Sequence, residues 1–208
     1  VDTLEGNLSA DGHIDDFLLN CGYSDDVKSS EDTETAEYVI VDDKNAFKDY
    51  VTLRTRRKHN DVVLGDSGVV ITEKLSKDLG VKKGDKITVT SSAGKQAEAV
   101  VSGITEMYVN HYVYISTEYY NELFGNIPEH NRVLIKISGD VNETESYMGD
   151  EYLSRDYIKG VSFLNANVTR FENMIQSLDL VTWVLIISAG LLAFVVLYNL
   201  TNVNISER

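Results

Sequence analysis

Residues 181–200 read VTWVLIISAGLLAFVVLYNL, and this stretch decides the architecture of the chain. It contains no charged residue, and the uncharged run continues to Ser206. A helix of about 20 residues is about 30 Å long, which matches the hydrocarbon core of a bilayer. A buried helix of a soluble protein is the alternative, but such helices usually carry a polar stripe, and this stretch has none. The sequence therefore predicts a transmembrane helix over residues 180–202.

The two ends of this stretch carry residues that are typical of a membrane interface. Trp183 and Tyr198 lie where amphipathic rings favour the boundary between lipid and water. Ser188, Ala189 and Gly190 place small side chains near the middle, as helix-packing faces in membranes do. We expect Trp183 and Tyr198 to be membrane-interface residues, and the lipid bilayer to be a partner of the chain.

The residues before the span continue its helical spacing. Four apolar side chains recur at intervals of one helical turn, namely Phe171, Met174, Ile175 and Leu178. This pattern predicts a membrane-proximal helix over residues 167–179 that runs into the span as one helix or nearly so. We interpret residues 203–208, which end in Glu207 and Arg208, as the start of a cytoplasmic segment.

The charge of the chain is unevenly distributed. The net charge is −14 over 208 residues, and the first fifty residues hold fourteen acidic side chains against three lysines. An acidic chain repels phosphate backbones, so we expect no nucleic-acid partner. Residues 1–36 are acidic and rich in Ser, Asp and Thr, and we expect them to be only partly ordered. The single cysteine, Cys21, excludes an internal disulfide.

Residues 37–166 alternate between strand and helix patterns. The predicted strands are 38–41, 62–64, 69–71, 87–89, 97–101, 108–115, 133–137 and 161–164. The predicted helices follow Asp42 or Asp43, Thr72, and Ser116 as capping residues, and a further helix covers residues 142–153. This order predicts an α+β fold with two subdomains. Residues 37–60 and 129–166 form a membrane-proximal α/β subdomain, and residues 61–128 form an inserted β-rich subdomain.

No motif in the chain carries catalytic chemistry. The four histidines show no HExxH spacing, the glycine turns do not form GxxxxGK[ST], and no GxSxG is present. The acidic N-terminal region lacks the alternating DxDxDG pattern of calcium loops, although calcium binding there stays an alternative to a solvated face. We expect no catalytic residues, no metal and no cofactor, and therefore not an enzyme.

Two clusters are candidates for partner binding. Arg54, Arg56 and Arg57, followed by Lys58 and His59, form a basic cluster that is either a solvated loop edge or a contact for anions. The anions in question are lipid headgroups, wall polymers or the chain's own acidic region. The second cluster is aromatic and comprises Tyr108, His111, Tyr112 and Tyr114. Its alternatives are core packing and a partner-binding surface, since Tyr is favoured at interfaces.

Several stretches together resemble the FtsX-like permeases, the membrane subunits of a class of bacterial ABC transporters that includes MacB. The large permeases of Gram-positive bacteria are the most similar. The resembling stretches are GVVITEKL (68–75), GVKKGD (80–85), VSGITE (101–106), YVNHY (108–112) and LYNLTNVNISER (197–208). The last stretch is the most specific, because in this family it begins the cytoplasmic segment between two transmembrane helices. The resemblance covers residues 38–208.

The resemblance implies an extracytoplasmic domain held between two transmembrane helices, the first of which we expect before Val1. It also implies a separate cytoplasmic ATPase subunit and a second permease copy or half as partners. ATP-driven movement of the helices would then rearrange the domain outside the cell, to export a peptide, lipid or lipoprotein, or to signal to a partner. The alternative is an extracellular peptide-sensing receptor module that signals through its helix.

Overall fold

The computed structural model describes residues 2–107 and 109–206, and the predictions made for Tyr108, Glu207 and Arg208 lie outside these residues. The chain divides into two compact units, Val1–Ser138 and Gly139–Arg208. The first unit is mixed α/β, and the second contains the long apolar helix. This agrees with the predicted α+β class and its C-terminal helix of membrane-spanning length.

The first unit contains seven strands and four helices among its described residues. In chain order they are α1 (Asp2–Ala10), β1 (Ile14–Lys28), β2 (Thr33–Val41), α2 (Lys44–Phe47), β3 (Val69–Thr72), α3 (Glu73–Asp78), β4 (Lys86–Thr90), β5 (Gln96–Thr105), β6 (Tyr112–Ser116), α4 (Thr117–Phe124) and β7 (Arg132–Ile137). Local signals set several helix ends. The Asp43 carboxylate accepts hydrogen bonds from the N–H groups of Asn45 and Ala46 at the start of α2. Gly125 ends α4 in the left-handed conformation, with φ of 77°.

Six of the strands close into a barrel. The seven strands follow the order β2-β6-β3-β5-β4-β1-β7, and an additional β1–β2 pairing joins the sixth strand back to the first. Two neighbouring pairs, β2–β6 and β3–β5, are parallel, and the remaining pairs are antiparallel. β7 lies outside the closed ring and pairs with β1 alone.

The long strand β1 changes partner along its length. Its first half pairs with β7, from Ile14 opposite Ile137 to Asn20 opposite Arg132. Its second half pairs with β2, from Cys21 opposite Ile40 to Lys28 opposite Thr33. β1 therefore belongs to the barrel through its second half. Its first half forms a two-stranded ribbon with β7, and the chain continues from the end of β7 into the second unit.

The barrel interior is filled by aliphatic and aromatic side chains. Strand residues such as Val27, Tyr38 and Ile71 are 0% exposed. Two helices add to the same cluster: Leu75 comes from α3, and Tyr120 comes from α4. Burying such side chains stabilises the fold by about 1.5–3 kcal/mol for each residue. The barrel is thus a packed core and not a channel.

A second cluster lies on the outer face of β2, β3 and β6. It comprises Val39, Val41, Phe47, Leu64, Val70 and Tyr114. Val62 from the long segment after α2 packs directly onto β5, where a Cβ built on Gly103 would lie 2.5 Å from the Val62 Cγ1. Gly103 is therefore required for this segment to approach the sheet so closely.

The strand directions define two poles of the barrel. The C-terminal ends of β1, β3 and β5 and the N-terminal ends of β2, β4 and β6 share one pole. We call it the loop pole; it carries the β1–β2 turn, α3, the segment 54–61 and the loop 106–111. The opposite pole carries α2, α4 and the free end of the ribbon, where Ile14 meets Ile137. We call it the chain pole, because the chain leaves the first unit there.

The second unit consists of two helices, α5 (Val141–Leu153) and α6 (Leu164–Ser206). α6 has 43 residues without interruption, so the predicted continuity between the membrane-proximal segment and the span is confirmed. Residues Leu178–Asn202 form a stretch of this helix that is long and apolar enough to cross a membrane, and all of these residues are exposed.

The structure differs from the sequence-based expectations in three places. Residues 2–36 form α1, β1 and the start of β2, whereas their composition predicted partial order. Strands predicted at 62–64 and 161–164 are wrong, since no named strand covers either segment. Strands from 14–28, 33–41 and 69–116 share one sheet, so strand pairing crosses the predicted subdomain boundaries. The division into two subdomains stays a prediction.

Candidate functional site

The basic cluster occupies a tight hairpin at the loop pole. Arg54 and Asp61 form an antiparallel bridge, and the Thr55 N–H donates to the Asn60 carbonyl at 2.8 Å. The His59 N–H donates to the Thr55 carbonyl at 2.9 Å, and His59 has a positive φ of 50°, which is uncommon outside glycine. We call residues 54–61 the basic hairpin. Its backbone bonds hold the tip, residues 56–58, in one conformation.

The cations of the basic hairpin differ in what they contact. Arg54 forms an ion pair with Glu106, and Arg56 lies 3.6 Å from a carboxylate oxygen of Glu73. Arg57 and Lys58 are exposed, and neither has a described carboxylate within 4.0 Å. Arg54 and Arg56 therefore serve to anchor the hairpin, whereas Arg57 and Lys58 present their charge to solvent.

His111 is held between two elements of the barrel. Its Nε2 lies 2.9 Å from Asp78 Oδ2 at the end of α3, and its Nδ1 lies 3.2 Å from the Thr35 carbonyl oxygen. The Glu34 carboxylate is 3.7 Å from the same Nδ1. The His111 side chain is only 17% exposed. It fastens the loop 106–111 to α3 and β2.

Asp78 is the shared partner of two cationic groups. The hydrogen bond from the Lys74 ammonium holds the pKa of the Asp78 carboxyl below its usual value, and His111 adds to this effect. Asp78 is therefore ionised at neutral pH and holds Lys74 and His111 at the same end of α3.

Tyr112 contributes mainly to packing. Its ring stacks on Tyr114 with 5.8 Å between centroids, and its backbone N–H donates to Thr72 Oγ1 at 3.2 Å. Thr72 Oγ1 in turn donates to the Asn110 carbonyl at 3.1 Å. Tyr112 is half-buried, so only part of its ring is available to a partner.

α3 brings the two predicted clusters together. Glu73 at its start contacts Arg56, and Asp78 at its end contacts His111. The basic hairpin and the loop 106–111 also touch directly, because the Glu106 N–H donates to the Arg54 carbonyl at 2.8 Å. The predicted residues Arg54, Arg56, Arg57, His111 and Tyr112 thus lie at one pole of the barrel, a juxtaposition that their sequence positions did not reveal.

Sequence reasoning missed a pair of hydrogen bonds that joins the β1–β7 ribbon to the barrel; we call this contact the joint. The Asn131 amide accepts a hydrogen bond from the Gly22 N–H and donates one to the Gly22 carbonyl, each at 2.8 Å. A Cβ built on Gly22 would lie 2.5 Å from the Arg132 guanidinium, which pairs with Glu37 on β2. This joint holds β1 at the point where it changes partner. No local sequence pattern around Gly22 predicts this contact, because Asn131 lies 109 residues away in the chain.

A second polar cluster lies at the chain pole. The Asp42 carboxylate contacts the Thr117 hydroxyl and the His130 ring, beside a shallow depression of about 560 Å³. The carboxylate stands between the hydroxyl and the imidazole, so the histidine cannot take a proton from the threonine as a nucleophile's base must. Within residues 2–107 and 109–206, no group of three or more His, Cys, Asp or Glu side chains is placed to hold a metal ion.

The apolar part of α6 presents its side chains outward. Trp183 is 64% exposed and Tyr198 is 59% exposed. The hydroxyls of Thr182, Ser188 and Thr201 each donate to the carbonyl four residues earlier in the same helix, at 3.1, 2.7 and 2.8 Å. These polar groups are satisfied without water, which is the condition that a bilayer imposes.

Comparisons with known proteins give matches among solved structures only. No family model matches the chain, and no curated protein matches it. The extracellular domain of the noncanonic ABC-type transporter YknZ from Gram-positive bacteria is similar, with 10% identity, a TM-score of 0.45, and coverage of 71% of this chain and 81% of that one. The periplasmic region of MacB from Actinobacillus actinomycetemcomitans is also similar, with 14% identity, a TM-score of 0.42, and coverage of 72% and 71%. At these values neither likeness establishes a shared function.

Proposed function

We propose that this chain is the extracytoplasmic domain and adjoining transmembrane helix of an ABC transporter permease of the FtsX-like kind. In this proposal a separate cytoplasmic subunit hydrolyses ATP, and the chain converts the resulting helix movement into rearrangement outside the membrane. The chain itself performs no catalysis. It would act with the ATPase subunit, with a second permease copy or half, and with the bilayer, and its first unit would lie outside the cell.

The observation that carries the proposal is the uninterrupted course of α6. The helix is about 65 Å long at about 1.5 Å per residue, roughly twice the thickness of a hydrocarbon core. Residues Leu178–Asn202 account for the span, and residues 164–177 continue the same helix before it. A continuous helix behaves as a rod, so displacement of the span also displaces the segment that connects it to the first unit.

The environment of the span supports its placement in lipid. Large apolar side chains on every side of the helix are more than half exposed, including Leu185, Leu192 and Phe194. Exposing apolar side chains on every face of a helix costs free energy in water and is favourable in hydrocarbon. The ring of Tyr198 also stacks on Phe194 one turn earlier, with 6.5 Å between ring centroids, and tyrosine near the end of a span is typical of a membrane interface.

The start of β1 and the end of β7 lie side by side at the chain pole. The Ser138 N–H donates to the His13 carbonyl at 2.9 Å, and its hydroxyl donates to the Gly12 carbonyl at 3.3 Å. The sheet therefore begins and ends at one pole, which supports the insertion between two membrane helices that the sequence resemblance implies.

Ile175→Pro tests this coupling directly. Proline removes a backbone hydrogen bond and clashes with the preceding turn, at a cost of about 3 kcal/mol, so the rod should break between the span and the first unit. A Ser30→Cys label on the exposed β1–β2 turn reports both topology and movement. Cys21 competes poorly for the label, since it is 4% exposed and burial raises the pKa of its thiol.

The measurement uses the intact permease with its ATPase. A membrane-impermeant fluorophore should label Ser30→Cys in intact cells, and ATP should then change its signal in the parent protein and in Ile175→Ala. The change should be lost in Ile175→Pro while ATP is still hydrolysed. Labelling only after lysis, or an undiminished response in the proline variant, would refute the proposal. A response to peptide alone, without the ATPase, would instead favour the sensor.

A further inference from the structure

His111 places both nitrogens of its ring against hydrogen-bond acceptors. Its Nε2 lies 2.9 Å from Asp78 Oδ2, and its Nδ1 lies 3.2 Å from the carbonyl oxygen of Thr35. A carbonyl oxygen and an ionised carboxylate only accept hydrogen bonds, whereas a neutral imidazole has one donor nitrogen and one acceptor nitrogen. Asp78 is ionised, because the Lys74 ammonium holds the pKa of its carboxyl below the usual value. Both contacts are therefore satisfied only when the ring of His111 carries a proton on each nitrogen.

The charged groups around His111 also favour a positive ring. Three carboxylates and two cations contact the ring or lie beside it, namely Asp78, Glu34, Glu37, Lys74 and Arg132. Lys74 pairs with Asp78, and Arg132 pairs with Glu37. The third carboxylate lies 3.7 Å from Nδ1 and has no other cation within 4.0 Å in the part of the chain that the structure describes. The protonated ring supplies the missing positive charge, and it is only 17% exposed, so water screens the attraction little.

The ring of His111 is the hydrogen-bonded link between its loop and the end of α3. The other hydrogen bonds of this loop toward α3 reach only the start of the helix. The Lys74 N–H donates to the Met107 carbonyl at 3.3 Å, and Thr72 Oγ1 donates to the Asn110 carbonyl at 3.1 Å. When the ring loses one proton, one nitrogen becomes an acceptor that faces another acceptor, so one of its two hydrogen bonds is lost.

We propose that His111 is a pH-dependent latch, in which the doubly protonated ring fastens the loop 106–111 to the end of α3 and to β2, and loss of one proton releases one of these contacts. The acceptors exist only in the folded chain, so the folded state binds the second proton more tightly than the unfolded state does. The stability that the latch contributes is therefore complete below a pH of about 6.5, the usual range of histidine, and is lost as pH rises above it. The inference does not depend on the proposed function, because the latch needs only contact with solvent.

Deuterium exchange at the C2 hydrogen of histidine tests the latch, since the rate depends on whether the ring carries one proton or two. Mass spectrometry of the full chain in nanodiscs gives the midpoint of this pH profile for His111. We expect it at least about one pH unit above the midpoint in an unstructured peptide of residues 106–116. Asp78→Asn should move the midpoint most of the way back to that of the peptide. The matched control is Asp66→Asn, which removes a carboxylate that pairs with Lys44, and it should leave the midpoint unchanged.

Backbone amide exchange of residues 109–112 is the second measurement. After correction for the intrinsic effect of pH, it should accelerate by about threefold or more between pH of about 6 and about 8 in the parent chain, and His111→Gln should abolish this pH dependence. A midpoint at or below that of the peptide, an equal shift in Asp66→Asn, or a pH dependence that persists in His111→Gln would overturn the inference. The midpoint of the parent chain needs no variant, so a variant that fails to fold does not decide the test. None of these measurements involves ATP, so the latch and the coupling can fail independently.

Discussion

The barrel and the span contain the same types of apolar side chain, but these side chains are buried in the barrel and exposed on the span. Ile71 and Leu75 in the barrel are 0% exposed, whereas Leu191 and Leu192 in the span are 62% and 67% exposed. In β5, polar residues alternate with apolar ones, and the strand buries one face. β3 is buried along its whole length, because Val70 belongs to the cluster on the outer face of the barrel. In the span, apolar residues surround the helix, and no other element covers them. Apolar side chains are thus covered by the protein in the barrel and uncovered on every side of the span, which suits lipid as the solvent.

The largest expected difference concerns truncation of one leucine in each region. Leu75→Ala should lower the free energy of unfolding of the first unit by about 3 kcal/mol, because it leaves a cavity in a close-packed core. Leu191→Ala should alter membrane insertion by only about 0.5 kcal/mol, since lipid fills the space that the side chain leaves. Near-UV circular dichroism of the tyrosines during urea unfolding in nanodiscs measures the first effect.

Trp183, the only tryptophan, serves as the control because its fluorescence reports on the span. Its emission should stay unchanged in both variants. Equal destabilisation of the first unit by the two alanine variants would abolish the contrast between packed core and lipid-facing helix.

A matched pair of serines sharpens the comparison for polar groups. Ser116 is buried and caps α4 by accepting a hydrogen bond from the Tyr119 N–H at 3.2 Å, so Ser116→Ala should cost about 1 kcal/mol. Ser188 bonds to its own helix at Val184, where the carbonyl already has a helical partner. Ser188→Ala should therefore change stability by less than about 0.5 kcal/mol. Thermal unfolding of both variants in the same nanodiscs measures the difference, and a larger loss for Ser188→Ala would reverse the interpretation.

The smallest expected effect concerns pH. The pKa of Asp78 is lowered in the folded state, so the unfolded state binds the proton more readily and stability falls as pH drops through the folded pKa, below the usual value of 3.8. Asp78→Asn should lose this contribution at neutral pH and should show a weaker decline of stability in acid than the parent. Residues 180–202 contain no ionisable carboxylate or amine, so the helicity of this stretch should not change over the same range. Urea midpoints between neutral pH and pH of about 3 test both statements.

Sequence patterns predicted the elements whose signals are local. The long apolar helix, the cap at Ser116 and the strand of alternating residues around Ile87 all appear in the structure, and Asp43 is the cap where the sequence left Asp42 and Asp43 open. Each of these depends on neighbours within a few positions, so periodicity and capping residues suffice to find them.

The elements that sequence reasoning missed depend on distant partners. β1 contains two Asp-Asp pairs, which favour loops. Its first half, with Asp15 and Asp16, is nevertheless ordered by pairing with β7, more than a hundred residues away. The apolar run at 161–164 predicted a strand, but no described strand of its unit offers it a partner. In the candidate site, the basic cluster was visible, but the division between the anchored Arg54 and Arg56 and the free Arg57 depends on Glu106 and Glu73.

The meeting of Ile14 and Ile137 makes residues 14–137 an exchangeable cassette. Paired residues on antiparallel strands have Cα atoms only about 5 Å apart, so one or two glycines can close the gap when everything between them is removed. Evolution can replace this cassette by insertion or deletion without changing the spacing of the flanking segments. The same property allows a laboratory to graft a different domain between Gly12 and Ser138, which are joined by a hydrogen bond.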